Sequence, residues 1–260
     1  MSDPVDPFPA FYDALEARHR AELTFAEVRR ALQALSSLYV ERRERIAGGA
    51  ALEGRGKRAA FALYYGPLHF LLVREIVRAL GPALATPRHI LDLGCGTGTA
   101  GAAWALERQP PASVEGVDVS GWAVSEARFT LRQLGVPGKA TRADAVAASA
   151  SDPRAGLLAV FTVNELAEAA RDRLLERILA TASGGAPVLI VESISRRASP
   201  WWPAWREAFA GAGGREDEWR FRPRLPPSLA LLAKAAGLDA RELTGRSLLL
   251  SAAGPARPGP

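Results

Sequence analysis

Residues 90–99 have the sequence Ile-Leu-Asp-Leu-Gly-Cys-Gly-Thr-Gly-Thr, an apolar run that leads into three closely spaced glycines. The apolar run is typical of a buried strand, and the glycines predict a sharp turn into a helix. Glycines serve such a turn by a positive φ, by a backbone that a ligand can approach, and by close packing of the helix on the strand. The spacing differs from the Gly-x-Gly-x-x-Gly of dinucleotide folds, and no Gly-Lys-Ser/Thr follows to hold a triphosphate. We therefore expect a nucleotide-binding corner whose ligand is an adenosine without phosphates.

The composition sets the class of protein. The chain has 260 residues, of which 48% are hydrophobic, and a formal charge of +5, which suits one large α/β domain with a helical extension. The apolar run 61–73 is too short to cross a bilayer as a helix, so we expect no membrane partner. The acidic start of the chain lacks the features of a secretory signal, which predicts a cytoplasmic protein. Cys95 is the only cysteine, which excludes intrachain disulfides and cysteine-cluster metal sites, and we predict no metal site.

Apolar runs alternate with helical patterns through most of the chain. Strands are predicted at 89–93, 113–119, 140–142, 157–163 and 186–192, with helices at 100–108, 121–134 and 165–182 between them. This alternation predicts an α/β fold with a mostly parallel, Rossmann-like sheet. After a helix at 227–236, the runs 240–243 and 246–251 predict a hairpin around Thr244 and Gly245, which would give the sheet an antiparallel last strand.

The residues before the sheet are predicted to be helical. Helices are expected at 9–20, 25–47, 58–66 and 67–80. A capping box from Thr24 to Glu27 begins the second of these helices, and Pro67 is expected to begin or kink the last. The chain is therefore divided into an N-terminal helical region, a sheet-containing domain, a Trp/Arg-rich insertion within that domain, and a disordered tail, at 1–80, 81–252, 195–226 and 253–260, respectively.

Acidic residues stand at the predicted carboxyl ends of the first three strands. These are Asp92, Asp118 and Asp144, and ligands of open α/β sheets bind beyond such ends. Together with the glycine loop at 94–98, this pattern resembles the class I S-adenosylmethionine-dependent methyltransferases, in which an antiparallel last pair of strands is also typical. The alternative is an ordinary glycine turn in another α/β protein. The resemblance implies an enzyme with S-adenosylmethionine as its cofactor.

The resemblance also implies roles for individual residues. The glycine loop would lie against the methionine part of the cofactor, Asp118 would accept hydrogen bonds from the ribose hydroxyls, and Asp144 would accept one from the adenine amino group. The predicted cofactor-binding residues are Asp92, Gly94, Cys95, Gly96, Gly98, Asp118, Val119, Asp144, Ala145 and Asn164. For the side chain of Cys95, packing is favoured over a role as nucleophile.

Asn164 and Glu165 are the predicted catalytic residues. In the family, residues after the fourth strand face the transferring methyl group, and these two follow the run 157–163. Because a sulfonium is already a strong leaving group, placement and desolvation suffice unless the acceptor must lose a proton. Glu165 could then serve as the base, or it could cap the next helix. The local sequence differs from the Asn-Pro-Pro-Tyr or Asp-Pro-Pro-Tyr pattern of amino-group methylation on bases and glutamine.

A second, looser resemblance concerns the partner. Residues 34–39, 59–67 and 161–166 are similar to the methyltransferase-like family of the mitochondrial ribosomal small subunit, which implies RNA or the ribosomal small subunit as a partner. That family usually carries a cysteine cluster in the C-terminal half, where this chain has no cysteine. Arginines interleaved with aromatic residues at 196–224 suit RNA, because guanidinium groups bind phosphates and rings stack on bases. The alternative is a solvated basic surface over a tryptophan-anchored cap.

The predicted function is S-adenosylmethionine-dependent methylation of RNA or of a ribosome-associated substrate. One alternative is a small-molecule methyltransferase whose acceptor pocket is lined by Trp201, Trp202, Trp205 and the N-terminal helices. Another is an RNA-binding or ribosome-assembly factor that keeps the fold and transfers nothing. The acceptor and the oligomeric state stay open, because acceptor choice depends on loops whose shape a sequence does not fix.

Overall fold

The computed structural model describes residues 6–41, 52–85 and 87–251; the predicted tail at 253–260 lies outside these ranges. The strands are β1 His89–Leu93, β2 Ser113–Asp118, β3 Gly138–Arg142, β4 Gly156–Val160, β5 Val188–Glu192, β6 Arg215–Phe221 and β7 Leu243–Leu250. The α-helices are α1 Phe8–His19, α2 Phe25–Glu41, α3 Arg55–Ala60, α4 Gly66–Leu80, α5 Thr99–Leu106, α6 Gly121–Gln133, α7 Glu168–Ser183, α8 Trp202–Gly211 and α9 Pro227–Ala236.

All these strands lie in one sheet, in the order β3-β2-β1-β4-β5-β7-β6. Strands β1 to β5 run parallel, and β7 pairs antiparallel with both β5 and β6. The predicted α/β class, mostly parallel with an antiparallel last strand, is confirmed. From β1 the chain adds β2 and β3 on one side of the sheet and then crosses to the other side to add β4 and β5, so the strand order reverses beside β1. Ligands of doubly wound sheets bind at the carboxyl ends of the strands at such a point.

Apolar layers cover both faces of the sheet. Every residue of β4 and β5 is buried, as expected for continuous apolar strands with both faces covered. One face packs against α1, α2, α4, α5 and α9, and the other packs against α7 and α8. Within the described ranges, no helix combines the length and the apolar character needed to span a membrane.

The first two helices lie where the sequence predicts them, and their ends are fixed by specific contacts. The Thr24 N–H donates to Glu27 Oε2 at 2.8 Å, and the Glu27 N–H donates to Thr24 Oγ1 at 3.4 Å, so the capping box is confirmed. The predicted end of this helix, at 42–47, lies outside the described residues. Arg18 binds Glu126 at 2.9 Å and thereby holds α1 against α6.

The helix that leads into the sheet is continuous from Arg55 to Leu80. A π-helical turn, Phe61–Tyr65, joins α3 to α4, and the Gly66 N–H bonds to the carbonyl five residues earlier. This wider turn immediately precedes Pro67, whose ring would press on a carbonyl four residues earlier in a regular α-helix. The helix therefore passes through the proline, where the sequence predicts two helices.

The predicted hairpin around Thr244 and Gly245 is wrong. Both residues lie inside β7, where Gly245 pairs with Trp219 of β6. A Cβ at Gly245 would come within 3.2 Å of Leu72 Cδ2, so this glycine permits close packing of α4 on the strand and makes no turn. Besides β5, the antiparallel partner of β7 is β6, which comes from the Trp/Arg-rich segment 195–226.

Candidate functional site

The three glycines of the loop after β1 have positive φ angles for different reasons. Gly94, Gly96 and Gly98 have φ values of +66°, +52° and +73°. A Cβ on Gly94 would overlap the Thr162 side chain, and a Cβ on Gly98 would lie 2.9 Å from Ala127 Cα in α6. A Cβ on Gly96 would have only the Cε1 atom of the Phe61 ring within reach, at 4.0 Å. Gly96 is therefore the glycine whose backbone faces open space and can contact a ligand.

Asp118, at the end of β2, lies beside this open backbone. Its Oδ2 accepts a hydrogen bond from the Gly96 N–H at 2.9 Å, and its Oδ1 accepts one from the Ser120 N–H at 2.8 Å. A carboxylate oxygen can accept more than one hydrogen bond, so Asp118 can still accept hydrogen bonds from the hydroxyls of a ligand. The next residue, Val119, is 53% exposed. We call the space beyond the carboxyl ends of β1, β2 and β4 the crevice. On its β2 side, the Asp118 carboxylate lies next to the exposed apolar side chain of Val119.

Asp92 and Cys95 lie beneath the loop, away from the open side. Asp92 is 1% exposed, and it accepts a hydrogen bond from the Gly101 N–H at 3.1 Å. Burial, together with the charge of Asp118, raises the pKa of Asp92 to about 7. The Cys95 side chain packs in a small buried group with α6 residues, and burial raises the pKa of its thiol. Both side chains are buried beside the loop, and the burial of Cys95 agrees with the packing role that was expected for it.

Asp144 and Ala145 follow β3 on a loop that is tied to α7. The exposed Asp144 accepts a hydrogen bond from the Val146 N–H at 2.8 Å. Arg177 donates to the carbonyls of Ala145 and Val146, at 2.8 and 2.5 Å. These contacts hold the loop at the carboxyl edge of the sheet, where the Asp144 side chain is exposed to solvent.

The end of β4 is strained and is anchored to β1. Phe161 has a φ of +55°, the one positive value recorded for a residue other than glycine in the described ranges. The Thr162 hydroxyl lies 3.0 Å from the Leu93 carbonyl oxygen, to which it donates. A strained residue next to such an anchor is typical of a functional turn.

Asn164 has its side chain fully engaged within the protein. Its Nδ2 donates to Glu192 Oε2 at 2.5 Å, and its Oδ1 accepts a hydrogen bond from Trp201 Nε1 at 2.7 Å. Glu192 ends β5, is completely buried, and has its pKa raised to about 8, first by burial and also by the charge of Glu165. Asn164 therefore follows β4, as the sequence predicts, but its side-chain amide is hydrogen-bonded to Glu192 and Trp201. Sequence reasoning missed Glu192, although a carboxylate at the end of an apolar strand was a usable signal, and it named Trp201 only as a residue lining the acceptor pocket of the small-molecule alternative.

Glu165 is positioned differently from its neighbour. It lies in a 3₁₀ turn, Val163–Glu165, and α7 begins three residues later without a side-chain cap. Of the two roles that the sequence left open, the cap is therefore excluded. The side chain reaches the surface, yet it lies close enough to Asp118 that desolvation and the charge of this carboxylate raise the pKa of Glu165 to about 7.

Five half-buried aromatic residues gather over the loop and the end of β4, and we call them the aromatic cluster. They are Phe61, Tyr65, His69, Trp122 and Phe161. Ring centroids lie 5.8 Å apart for Phe61 and Tyr65, 6.0 Å for Phe61 and His69, 6.3 Å for Phe61 and Trp122, and 4.6 Å for His69 and Phe161. Desolvation lowers the pKa of His69 to about 4, so its ring is neutral near pH 7.

The tryptophans of the segment 195–226 are mainly structural. Trp202 and Trp205 are each 2% exposed, and Trp219 Nε1 donates to Ser247 Oγ at 2.8 Å. Arg222 binds Glu242 at 3.1 Å, and other arginines of this segment have similar acidic partners. Because the rings of Trp202 and Trp205 are buried in the core, they cannot stack on bases.

Comparison with known proteins identifies the central part of the chain. Residues 90–185 match the family described as "Methyltransferase domain". The ribosomal RNA small subunit methyltransferase C of Pseudomonas aeruginosa (strain LESB58) is 41% identical over 80 residues, which are 30% of this chain and 24% of that protein. The chain therefore spans about a quarter of the length of this curated relative.

A solved structure shares the fold, and a second one is less similar. A putative O-methyltransferase from Nostoc punctiforme matches 86% of this chain and 69% of its own length, at 15% identity and a TM-score of 0.53. Magnesium protoporphyrin IX methyltransferase from Synechocystis, solved with S-adenosylmethionine bound, matches 88% of this chain and 97% of its own, at 17% identity and a TM-score of 0.46. The family match, the glycine loop and the sheet order agree in residues 90–185, the part of the chain that is similar to a methyltransferase domain.

Proposed function

We propose that the chain is a methyltransferase that binds S-adenosylmethionine along the carboxyl edge of β1, β2 and β3. The observation that carries this proposal is the open backbone of Gly96 beside the Asp118 carboxylate, 2.9 Å from its N–H. A ligand can approach this backbone, while Asp118 accepts from ribose hydroxyls and the exposed Val119 offers apolar surface to the adenine. Asp144 would accept from the adenine amino group. The residues present therefore suit an adenosine ligand without phosphates.

Catalysis in this proposal depends mainly on placement. S-adenosylmethionine supplies a methyl group on a sulfonium. Transfer of this group requires that the acceptor is held in line with the breaking bond and that water is excluded. The helices of the region 1–80 exclude water through the aromatic cluster, and Glu192 and Trp201 fix Asn164 at the end of β4. Glu165 acts as the base when the acceptor must lose a proton, because its carboxylate faces the crevice with a pKa near 7.

An RNA or a ribosome-associated molecule is the acceptor that we propose first. The support is the 80-residue match to a ribosomal RNA methyltransferase. The C-terminal arginines add little to this proposal, since several are paired with acidic residues. Retention of RNA that falls steeply with salt would support it, because each phosphate contact releases counterions. A salt-independent lack of binding would favour a small-molecule acceptor.

The cofactor site is tested by paired glycine substitutions. Gly96→Leu should abolish S-adenosylmethionine binding in isothermal titration calorimetry, because its side chain fills the space that the ligand needs. Gly135→Leu is the control: Gly135 also has a positive φ, +64°, and nothing within 4 Å of an added Cβ, but it follows α6 far from the loop. Both variants should lose about 1–2 kcal/mol of unfolding free energy from the strained backbone.

Three outcomes have distinct meanings. Loss of binding only in Gly96→Leu supports the site, and equal binding in both variants would place it elsewhere. Cofactor binding without transfer of a radiolabelled methyl group to RNA, protein or metabolite fractions would instead support the assembly factor that keeps the fold.

A further inference from the structure

The aromatic cluster is the feature of the crevice that the proposed function leaves least explained. Its rings are half-buried, whereas most apolar side chains around them are buried in the core. The cluster reaches from Phe61, whose Cε1 lies nearest to the open side of Gly96, to Phe161 at the end of β4. These two ends flank the region where the methionine part and the transferring methyl group of the proposed cofactor would meet. The sulfonium sulfur of that cofactor is the atom that joins the methyl group to the methionine part.

Aromatic faces attract cations, and this cluster already does so at one margin. The guanidinium carbon of Arg58 lies 5.8 Å from the centroid of the Trp122 ring, within the range of a cation–π contact. His69 is neutral at pH 7, because desolvation lowers its pKa to about 4, so its ring does not repel a positive charge. The cluster therefore consists of half-buried, uncharged rings of the kind that bind a cation.

We propose that the aromatic cluster recognises the positive charge of the sulfonium and so favours the methyl donor over its demethylated product. This inference rests on the proposed function. S-adenosylmethionine carries a sulfonium, whereas S-adenosylhomocysteine carries a neutral thioether of almost the same shape. Loss of a ring should therefore weaken binding of the donor more than binding of the product.

Calorimetric titration of both compounds tests this inference. Phe61→Leu keeps an apolar side chain and removes the ring, and it should reduce the preference for S-adenosylmethionine over S-adenosylhomocysteine by about 3- to 10-fold. Phe129→Leu is the matched control, because Phe129 is another half-buried helical phenylalanine, 4.7 Å from the Arg18 guanidinium and outside the cluster. It should leave the preference unchanged. Phe61→Trp should retain or increase the preference.

The results separate this inference from the proposed function. If Phe61→Leu weakens the binding of both ligands equally, or changes the binding of neither, the cluster does not distinguish the charged ligand from the neutral one and the inference is wrong. If the unsubstituted protein binds neither ligand, the proposed function itself fails. Tyr65→Leu repeats the test on a second ring should Phe61→Leu fail to fold, as judged by circular dichroism.

Discussion

Asn164 and Glu165 are neighbours in sequence but have opposite surroundings. The Asn164 amide is held by Glu192 and Trp201, so it shapes the turn after β4. The Glu165 carboxylate faces the crevice and titrates near neutrality because of desolvation and Asp118. At the scale of single residues, this difference supports the proposal that Asn164 is a positioning residue and Glu165 is the base.

The pH dependence of Glu165 gives a residue-scale prediction. Its pKa is raised from the ordinary 4.5 to about 7, so the carboxylate is protonated below pH 6 and available as a base above pH 8. Transfer to an acceptor that loses a proton should therefore rise through about pH 7, and Glu165→Gln should lower kcat by about 10²- to 10⁴-fold and remove the rise. The measurement is kcat against pH with radiolabelled donor.

A control that needs no acceptor is the carboxyl carbon resonance of Glu165. Asp118→Asn removes the nearby like charge and should lower the pKa of Glu165 in an NMR titration. A pKa near 4.5 in the unsubstituted protein, or an unchanged pH profile in Glu165→Gln, would contradict the assignment.

At the scale of elements, α4 is coupled to the glycine loop through a single small residue. Gly66 begins α4 immediately after the π-helical turn, and an added Cβ would lie 2.8 Å from Thr97 Oγ1. The absence of a side chain at Gly66 thus lets the helix rest directly on the loop and places Phe61 over Gly96. The turn and the glycine together position the aromatic cluster.

Gly66→Ala should therefore be destabilising although alanine favours helices. The contact with Thr97 forces the helix away from the loop, which should cost about 1–3 kcal/mol of unfolding free energy and weaken S-adenosylmethionine binding. Gly211→Ala in α8, where nothing lies within 4 Å, should be neutral or stabilising by up to about 1 kcal/mol. Urea denaturation measures both effects, and equal stabilities of the two variants would contradict the packing argument.

At the scale of the whole molecule, one buried carboxyl at the carboxyl edge of the sheet affects the stability of the fold. Glu192 is completely buried at the end of β5, and its pKa is raised from 4.5 to about 8. A carboxyl with a raised pKa in the folded state favours folding while it is protonated. Its contribution is complete below about pH 4.5 and is lost as the pH rises toward 8.

Glu192→Gln should make stability less dependent on pH. Glutamine keeps an oxygen that accepts from Asn164 but cannot ionise, so the unsubstituted protein should lose more unfolding free energy than the variant between pH 5 and 8. The difference should approach, at most, about 1.4 kcal/mol per pH unit. Urea titrations at several pH values measure it, and parallel curves for the two proteins would show that Glu192 is ionised when folded.

Local patterns in the sequence specify the cofactor side of this protein. The glycine loop, the apolar runs of β1 to β5 and the acids Asp118 and Asp144 could be placed because turn chemistry and strand periodicity act between close neighbours in the chain. The pairing of β6 with β7, the ties of Asn164 to Glu192 and Trp201, and the aromatic cluster could not. These features join residues far apart in sequence, so they depend on how the helices pack on the sheet. Tertiary packing alone therefore decided which of the two side chains after β4 is tied to buried partners and which rings lie near the glycine loop.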